Sequence, residues 1–165
     1  MRTHFFSAAL AALLTAGAAS PALAVPHAGD SAPSFALPGA RGGTVASTSY
    51  RGKPVYLNFF ASWCAPCNDE AGGVSTLYAK YHRRGLAVVG IDELEDKGKA
   101  LGFAQDHRWP FAIALDNDGG FLKAYEALGL PVHVFIDKHG KISTFRLGEM
   151  QPDEIRLAIE KILAL

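Results

Sequence analysis

The sequence has few cysteines and no excess of either charge. Only two of its 165 residues are cysteines, and 16 lysines and arginines balance 16 aspartates and glutamates. This balance argues against a nucleic-acid binder, because such proteins neutralise phosphates with a surplus of cations. Two cysteines also exclude a small scaffold held together by several disulfides. With 49% hydrophobic and 19% charged residues, the chain has the composition of one folded domain rather than a disordered protein.

The one long apolar run of the sequence lies at its start. Residues 1–4 carry a positive charge, residues 5–19 are rich in alanine and leucine, and residues 22–24 (Ala-Leu-Ala) match the pattern that signal peptidase recognises. We therefore expect a signal peptide over residues 1–24 and a mature domain over residues 25–165. An uncleaved membrane anchor is the alternative, although the run is shorter than the roughly 20 residues that a spanning helix needs. The expected location is the periplasm, where disulfides persist.

Apolar runs and helical periodicities alternate along the rest of the chain. They predict a short hairpin and further strands over 35–37, 44–46, 55–60, 86–91, 111–115, 132–137 and 141–147. They also predict helices over about 64–84, 97–107 and 121–128, and a last helix from Pro152. The acidic residues 92–96 are interpreted as a solvated loop. This order indicates an α/β sandwich with a mixed central sheet flanked by helices.

The two cysteines, Cys64 and Cys67, form a C-x-x-C motif that follows a predicted buried strand and opens a helix. A helix N-terminus has unpaired N–H groups and a partial positive charge, so it stabilises a thiolate and lowers the pKa of Cys64. Cys67 lies on the same face and can resolve a mixed disulfide by attacking Cys64. Pro66 stiffens this turn. The spacing therefore suits reversible thiol–disulfide exchange.

Two other uses of the cysteine pair fit the sequence less well. A structural zinc site needs four ligands, but there is no second cysteine pair and the histidines show no paired-ligand spacing. A purely structural disulfide would close so short a loop that it would stabilise little. A calcium loop at residues 116–120 is also disfavoured, because the segment is short and lacks the downstream glutamate. We therefore expect no metal or organic cofactor.

Several segments resemble the TlpA/ResA-like branch of the thioredoxin superfamily. The sequence Trp-Cys-Ala-Pro-Cys stands at 63–67, Asn58 stands where thioredoxins proper carry a buried aspartate, and Gly-Leu-Pro at 129–131 precedes a strand. The resemblance covers nearly all of residues 32–165. It implies a thioredoxin-like fold with an N-terminal β-hairpin extension.

The resemblance also implies a substrate-binding surface beside the cysteines. It implies that the Leu130–Pro131 peptide bond is cis and that Leu130 presents its backbone to an incoming peptide. Trp63 and Pro66, within the motif, are expected to belong to the same surface. Trp63 is further expected to shield the site and to pack under it.

Two polar residues near the motif have open roles. Glu70 lies one helical turn after Cys67, and it is expected either to relay a proton for that thiol or to be a solvated helix residue. His133 is expected to point into or along the sheet. Gly72 and Gly73 depart from the branch, which often has a proline at the first position. They either reproduce a bend or mark a close contact.

Together these expectations describe an exported thiol–disulfide oxidoreductase with Cys64 as nucleophile and Cys67 as resolving thiol. The resemblance favours a reductase that takes electrons from a membrane thiol donor and reduces partner proteins, as in cytochrome c maturation or copper-centre assembly. The reverse direction, a disulfide oxidant or isomerase, is the second possibility. A copper-binding assembly factor using Cys64, Cys67 and His133 is the alternative from another class. A peroxidase is disfavoured because its cysteine motif is missing, and a monomer is expected.

Overall fold

The computed structural model describes residues 25–165, so the expected signal peptide lies outside the described residues. Within that range the elements follow the predicted order: β1 (Ala36–Pro38), β2 (Thr44–Ala46), β3 (Val55–Phe60), α1 (Ala65–Tyr81), β4 (Ala87–Glu93), α2 (Lys97–Asp106), β5 (Ala112–Asp116), α3 (Gly120–Lys123), β6 (Val132–Ile136), β7 (Ile142–Leu147) and α4 (Pro152–Ala164). The thioredoxin-like α/β fold with its N-terminal hairpin is confirmed.

Strand β3 is the centre of a five-stranded sheet with the order β5-β4-β3-β6-β7. It runs parallel to β4 and antiparallel to β6, and all of its residues are buried. Because side chains alternate between the faces of a strand, Tyr56 and Phe60 join the core formed with α1, α2 and α4. Leu57 and Phe59 join the core on the opposite face. The cysteine motif follows directly at the carboxyl end of this strand.

Two element boundaries differ from the sequence prediction. The helix predicted over 121–128 is only the short α3, because Glu126 has a positive φ of 51° and Tyr125 turns inward against Phe59 and Phe121. Strand β4 continues to Glu93, into residues interpreted above as a solvated loop. In both places tertiary packing overrides the local sequence signal.

The hairpin β1–β2 is attached to the edge strand β5. The Ala40 N–H donates to the Ile113 carbonyl at 2.9 Å, and Arg41 donates to the Phe111 and Trp109 carbonyls. These bonds cover part of an edge that would otherwise be open to pairing with other chains. Among residues 25–165, no helix has the length and apolar character to cross a membrane.

Candidate active site

Cys64 is the N-cap residue of α1, and a disulfide joins it to Cys67. Both side chains are buried, at 4% exposure for Cys64 and 1% for Cys67. The Cys67 N–H points at Cys64 Sγ, 3.3 Å away, and Pro66 occupies the first turn of the helix. After reduction the same N–H would donate to a Cys64 thiolate, which favours ionisation of that thiol. Cys64 is therefore the more accessible and the better activated sulfur.

The loop between β3 and Cys64 is held by two side chains. Asn68 Nδ2 donates to the Ser62 and Cys64 carbonyls at 3.0 and 2.9 Å. Glu95 accepts the Ser62 N–H at 2.5 Å and the Ser62 hydroxyl at 2.7 Å. His107 Nε2 donates to Asn68 Oδ1 at 3.0 Å, since an amide oxygen can only accept. Burial lowers the pKa of His107, which keeps this imidazole in its neutral form.

Three of the acidic residues at the end of β4 are buried, so their interpretation as part of a solvated loop is wrong, whereas Leu94 and Asp96 are exposed. Asp92, Glu93 and Glu95 are at most 8% exposed. Within residues 25–165, no N–H or O–H donor reaches the carboxylate oxygens of Asp92 or Glu93. Burial and then the charge of Glu95 raise the pKa of Asp92 to about 7. Burial and then the charge of Asp116 raise the pKa of Glu93 to about 9, so Glu93 is a neutral acid at pH 7.

Asn68, Glu95 and His107 were not singled out by the sequence reasoning, although they shape the loop that carries the cysteines. Asn68 and His107 meet across 39 positions of sequence, a contact that periodicity does not reveal. For Glu95 a signal existed. It lies just past the carboxyl end of a buried parallel strand, the edge at which such sheets place functional groups.

A buried polar network joins α1 to the central strands. Glu70 Oε1 accepts from Asn58 Nδ2 at 3.1 Å, and Glu70 Oε2 accepts the Met150 N–H at 3.2 Å. Glu70 is only 5% exposed, so the alternative of a solvated helix residue is wrong. Residues three apart on a helix are neighbours. Glu70 and Cys67 are therefore buried on the same side of α1, one helical turn apart.

His133 in β6 completes the network and is fully buried. Tyr56 Oη lies 2.8 Å from His133 Nδ1 and accepts from Asn58 Nδ2 at 3.0 Å. Asn58 Nδ2, which can only donate, also lies 3.3 Å from Nδ1, so Nδ1 is the acceptor. The Tyr56 hydroxyl then donates to Nδ1, and the ring proton is on Nε2. Burial, and then the charge of Glu70, raise the pKa of Tyr56, so the hydroxyl keeps its proton. His133 Nε2 lies 3.3 Å from Glu70 Oε2, close but without hydrogen-bond geometry.

The Leu130–Pro131 peptide bond is cis, as the resemblance implied. Pro131 is buried immediately before β6, whereas Leu130 is partly exposed. Within the described residues, neither the Leu130 N–H nor its carbonyl makes a backbone hydrogen bond. These groups can pair with an extended segment of another protein, in the manner of an added β-strand.

Trp63 is 69% exposed and does not pack under the site, which corrects the sequence expectation. The core next to β3 is already filled by Phe60 and Phe103, whose rings stack, and by Trp109, which meets both edge-on. The Trp63 side chain is therefore left at the surface beside Cys64. Leu128 is 98% exposed on the approach to the cis-proline. These two apolar groups flank a buried disulfide with surface that a partner protein can cover.

The close contact expected at Gly72 and Gly73 is absent. The helix runs from Ala65 to Tyr81 without a break. A side chain at Gly72 would meet nothing within 4 Å, and one at Gly73 would touch only Pro152 at 3.6 Å. Nothing in the structure explains the pair. Within residues 25–165, no three His, Cys, Asp or Glu side chains are grouped so as to hold a metal ion.

Comparisons with known proteins agree with this geometry. Residues 28–145 match the AhpC/TSA family model. The thiol-disulfide oxidoreductase ResA of Geobacillus thermodenitrificans is 34% identical over 134 residues, covering 81% of this chain and 77% of its own. ResA of Bacillus thuringiensis subsp. konkukian is 31% identical, covering 81% of this chain and 78% of its own.

Two solved structures extend the comparison to three dimensions. A Chlorobium tepidum protein assigned as a thiol:disulfide interchange protein DsbE matches with a TM-score of 0.78 at 32% identity, covering 84% of this chain and 99% of its own. A secreted Mycobacterium tuberculosis disulfide oxidoreductase, described as homologous to Escherichia coli DsbE, matches with a TM-score of 0.70 at 28% identity. That match covers 77% of this chain and 95% of the other.

Proposed function

This chain belongs to the AhpC/TSA family and is a thiol–disulfide oxidoreductase related to ResA, and we propose that it is an exported reductase of disulfides in partner proteins. The placement of Glu70 carries the proposal. A buried carboxylate one helical turn from Cys67 opposes a thiolate at that position. A cysteine pair is a strong oxidant when its reduced form is stabilised as a thiolate. Glu70 has the opposite effect on the reduced form, so it favours the disulfide form of the enzyme and electron donation to the substrate.

The reaction begins with the reduced enzyme. The Cys64 thiolate attacks one sulfur of the substrate disulfide, forms a mixed disulfide and releases the other substrate sulfur as a thiolate. Glu70 then takes the proton of Cys67, and the Cys67 thiolate attacks Cys64. The Cys64–substrate bond breaks, the second substrate thiolate leaves, and the Cys64–Cys67 disulfide forms. Two electrons thus pass to the substrate, whose thiolates take up two protons.

The substrate segment docks along Leu130. Its backbone pairs with the Leu130 N–H and carbonyl, while its side chains cover Trp63, Pro66 and Pro131. This arrangement places the substrate sulfur over Cys64, the more exposed of the two cysteines. Main-chain pairing supplies affinity with little sequence preference. The enzyme therefore acts on disulfides in extended or unfolded segments.

The proposed setting is the periplasm, with a membrane thiol donor that returns the Cys64–Cys67 disulfide to the dithiol. Disulfide-bearing proteins of cytochrome c maturation or copper-centre assembly are the proposed class of substrates. Cell fractionation followed by N-terminal sequencing tests the location. A mature chain that starts at Val25 and is recovered with periplasmic markers supports it, and a protein retained in the membrane fraction supports the anchor instead.

The reduction potential of the Cys64–Cys67 pair tests the direction of electron flow. Glutathione or dithiothreitol buffers set the poise, and tryptophan fluorescence reports the redox state. A value near that of thioredoxin, about −270 mV, supports a reductase, whereas a value near that of DsbA, about −120 mV, supports an oxidant instead. In the first case Glu70→Gln raises the potential, while Asp69→Asn, an exposed neighbour on α1, leaves it unchanged.

A further inference from the structure

A cavity of about 420 Å³ opens at the end of the domain opposite the disulfide. It is lined by Val55 at the amino end of β3 and by Ile136 at the carboxyl end of β6. Cys64 follows the other end of β3, and a strand of this length separates the two sites by roughly 20 Å. The cavity therefore takes no part in the thiol–disulfide chemistry described above.

The floor of this cavity is apolar. Phe35 from the N-terminal extension and Tyr50 from the turn before β3 lie beside Val55, Leu57 and Ile136. All five belong to or pack against the core on that face of the sheet, so the floor is continuous with the interior of the domain. Its volume lies within the range of about 300–1,000 Å³ that is usual for small-molecule sites.

The rim, in contrast, is basic. Arg51, Lys53, Lys138 and His139 line the opening. Within residues 25–165, the side chains of Arg51, Lys53 and Lys138 make no ion pair and no hydrogen bond. This concentration of unpaired cations is local, since the whole chain has equal numbers of acidic and basic residues.

The one carboxylate in the lining, Asp137, offsets only one of these three cations. Asp137 Oδ1 accepts the backbone N–H groups of His139 and Lys141 at 2.8 and 2.9 Å. The carboxylate is thereby engaged in the turn between β6 and β7. Three cations against one engaged carboxylate leave the rim attractive to an anion.

We propose that this cavity binds a small amphipathic carboxylate. The apolar body of the ligand lies on the floor, and its carboxylate meets the guanidinium of Arg51 and the ammonium groups of Lys53 and Lys138. A neutral ligand of the same shape would leave the rim cations without a partner, and a cationic ligand would be repelled. The site does not depend on the proposed function of the cysteines.

Titration with octanoate, followed by backbone NMR shifts of the purified protein, tests the proposal. We expect the shifts to centre on Phe35, Tyr50 and Gly140, and octanamide, the neutral ligand of equal length, to bind at least about tenfold more weakly. Equal affinity for the two ligands, or no binding of octanoate at millimolar concentration, would overturn the proposal. Shifts centred on the exposed Trp63 and Leu128 would overturn it as well.

Three variants sharpen the test. Replacing Arg51 and Lys138 together by glutamine should weaken octanoate binding at least about tenfold, and the exposed Thr48→Trp should fill the opening and abolish binding. Lys97→Gln removes one exposed cation at the disulfide end of the domain and should leave the affinity unchanged. All three should still reduce insulin disulfides, which shows that they fold. Retained octanoate affinity in the double variant would contradict the proposal.

Discussion

Two sets of buried carboxyl groups stand near the active site, and their surroundings are opposite. Both Glu70 oxygens accept N–H groups, whereas no donor within residues 25–165 reaches the carboxylate oxygens of Asp92 or Glu93. The Glu70 carboxylate therefore has hydrogen-bond donors in the folded protein. Asp92 and Glu93 are set up to hold protons, and burial raises the pKa of both.

The difference teaches that burial alone does not decide what a carboxyl group does. The hydrogen-bond donors around the group determine whether it is ionised, because an ionised carboxylate is tolerated in the interior only where N–H or O–H groups replace water. Glu95 connects the two sets. It accepts both donors of Ser62 in the cysteine loop, and its charge is one cause of the raised pKa of Asp92.

Removing the paired carboxyl should have the largest effect. Glu70→Ala leaves one N–H of the Asn58 amide and the Met150 N–H without their acceptor, and each unsatisfied buried donor costs about 1–3 kcal/mol. We expect a loss of about 3 kcal/mol in the free energy of unfolding, measured by urea denaturation at pH 7. Asp69→Ala, the exposed neighbour, should lose much less. A loss equal in both variants would remove the distinction between paired and exposed carboxyl groups on this helix.

Replacing Glu93, whose carboxyl oxygens accept no hydrogen bond within residues 25–165, should increase the free energy of unfolding. Below pH 4.5 Glu93 is protonated in both the folded and the unfolded chain; above it the unfolded chain ionises while the folded chain keeps the proton up to about pH 9. Unfolding therefore releases a proton, and stability falls as the pH rises through this window. Glu93→Gln, which mimics the neutral acid, should be more stable than the parent by about 2 kcal/mol at pH 8.

The pH profile supplies the check for this second expectation. The free energy of unfolding of Glu93→Gln should change less between pH 5 and 8 than that of the parent protein. Glu149→Gln, an exposed acid, should leave the parent profile unchanged. A Glu93→Gln variant that is less stable than the parent at pH 8 would show that Glu93 is ionised and paired.

Glu95 should matter for rate more than for stability. Glu95→Gln replaces charge-assisted hydrogen bonds to Ser62 with weaker ones and loosens the loop before Cys64. We expect kcat/KM for insulin reduction to fall about tenfold, equivalent to about 1.4 kcal/mol. Asp92→Asn changes a neighbour of Glu95 but keeps both Glu95 hydrogen bonds to Ser62, so its rate should fall less. Equal losses in both variants would assign the effect to local charge rather than to the position of the loop.

Much of this fold was predictable because it depends on local patterns. The buried strand β3, the helix that opens at the cysteine motif and the hairpin β1–β2 all follow from apolar runs and turn residues. The cis bond before Pro131 followed from family resemblance alone. The C-x-x-C spacing was enough to identify Cys64 and Cys67 as the redox pair.

The remaining features depend on long-range packing. Asp92 and Glu93 are charged residues at the end of an apolar run, and their burial beside strand β5 is a feature of the folded sheet. Trp63 was expected inside because it is apolar, but the space was already taken by other aromatic rings. The partners of Glu70 come from β3 and from the segment before α4, which local periodicity does not bring together.

The smallest expected effect tests the direction of the hydrogen bonds in the paired network. Tyr56→Phe removes the hydroxyl that donates to His133 Nδ1 and accepts from Asn58. We expect a loss of about 1 kcal/mol in unfolding free energy, because Asn58 still donates to Glu70. The proton on His133 supplies a second readout by nitrogen NMR of the imidazole. In the parent protein it should reside on Nε2, and in Tyr56→Phe the unpaired Nδ1 should allow the other tautomer to form. A proton on Nδ1 in the parent protein would contradict this direction. His133 would then donate to Tyr56, and its unprotonated Nε2 would face Glu70.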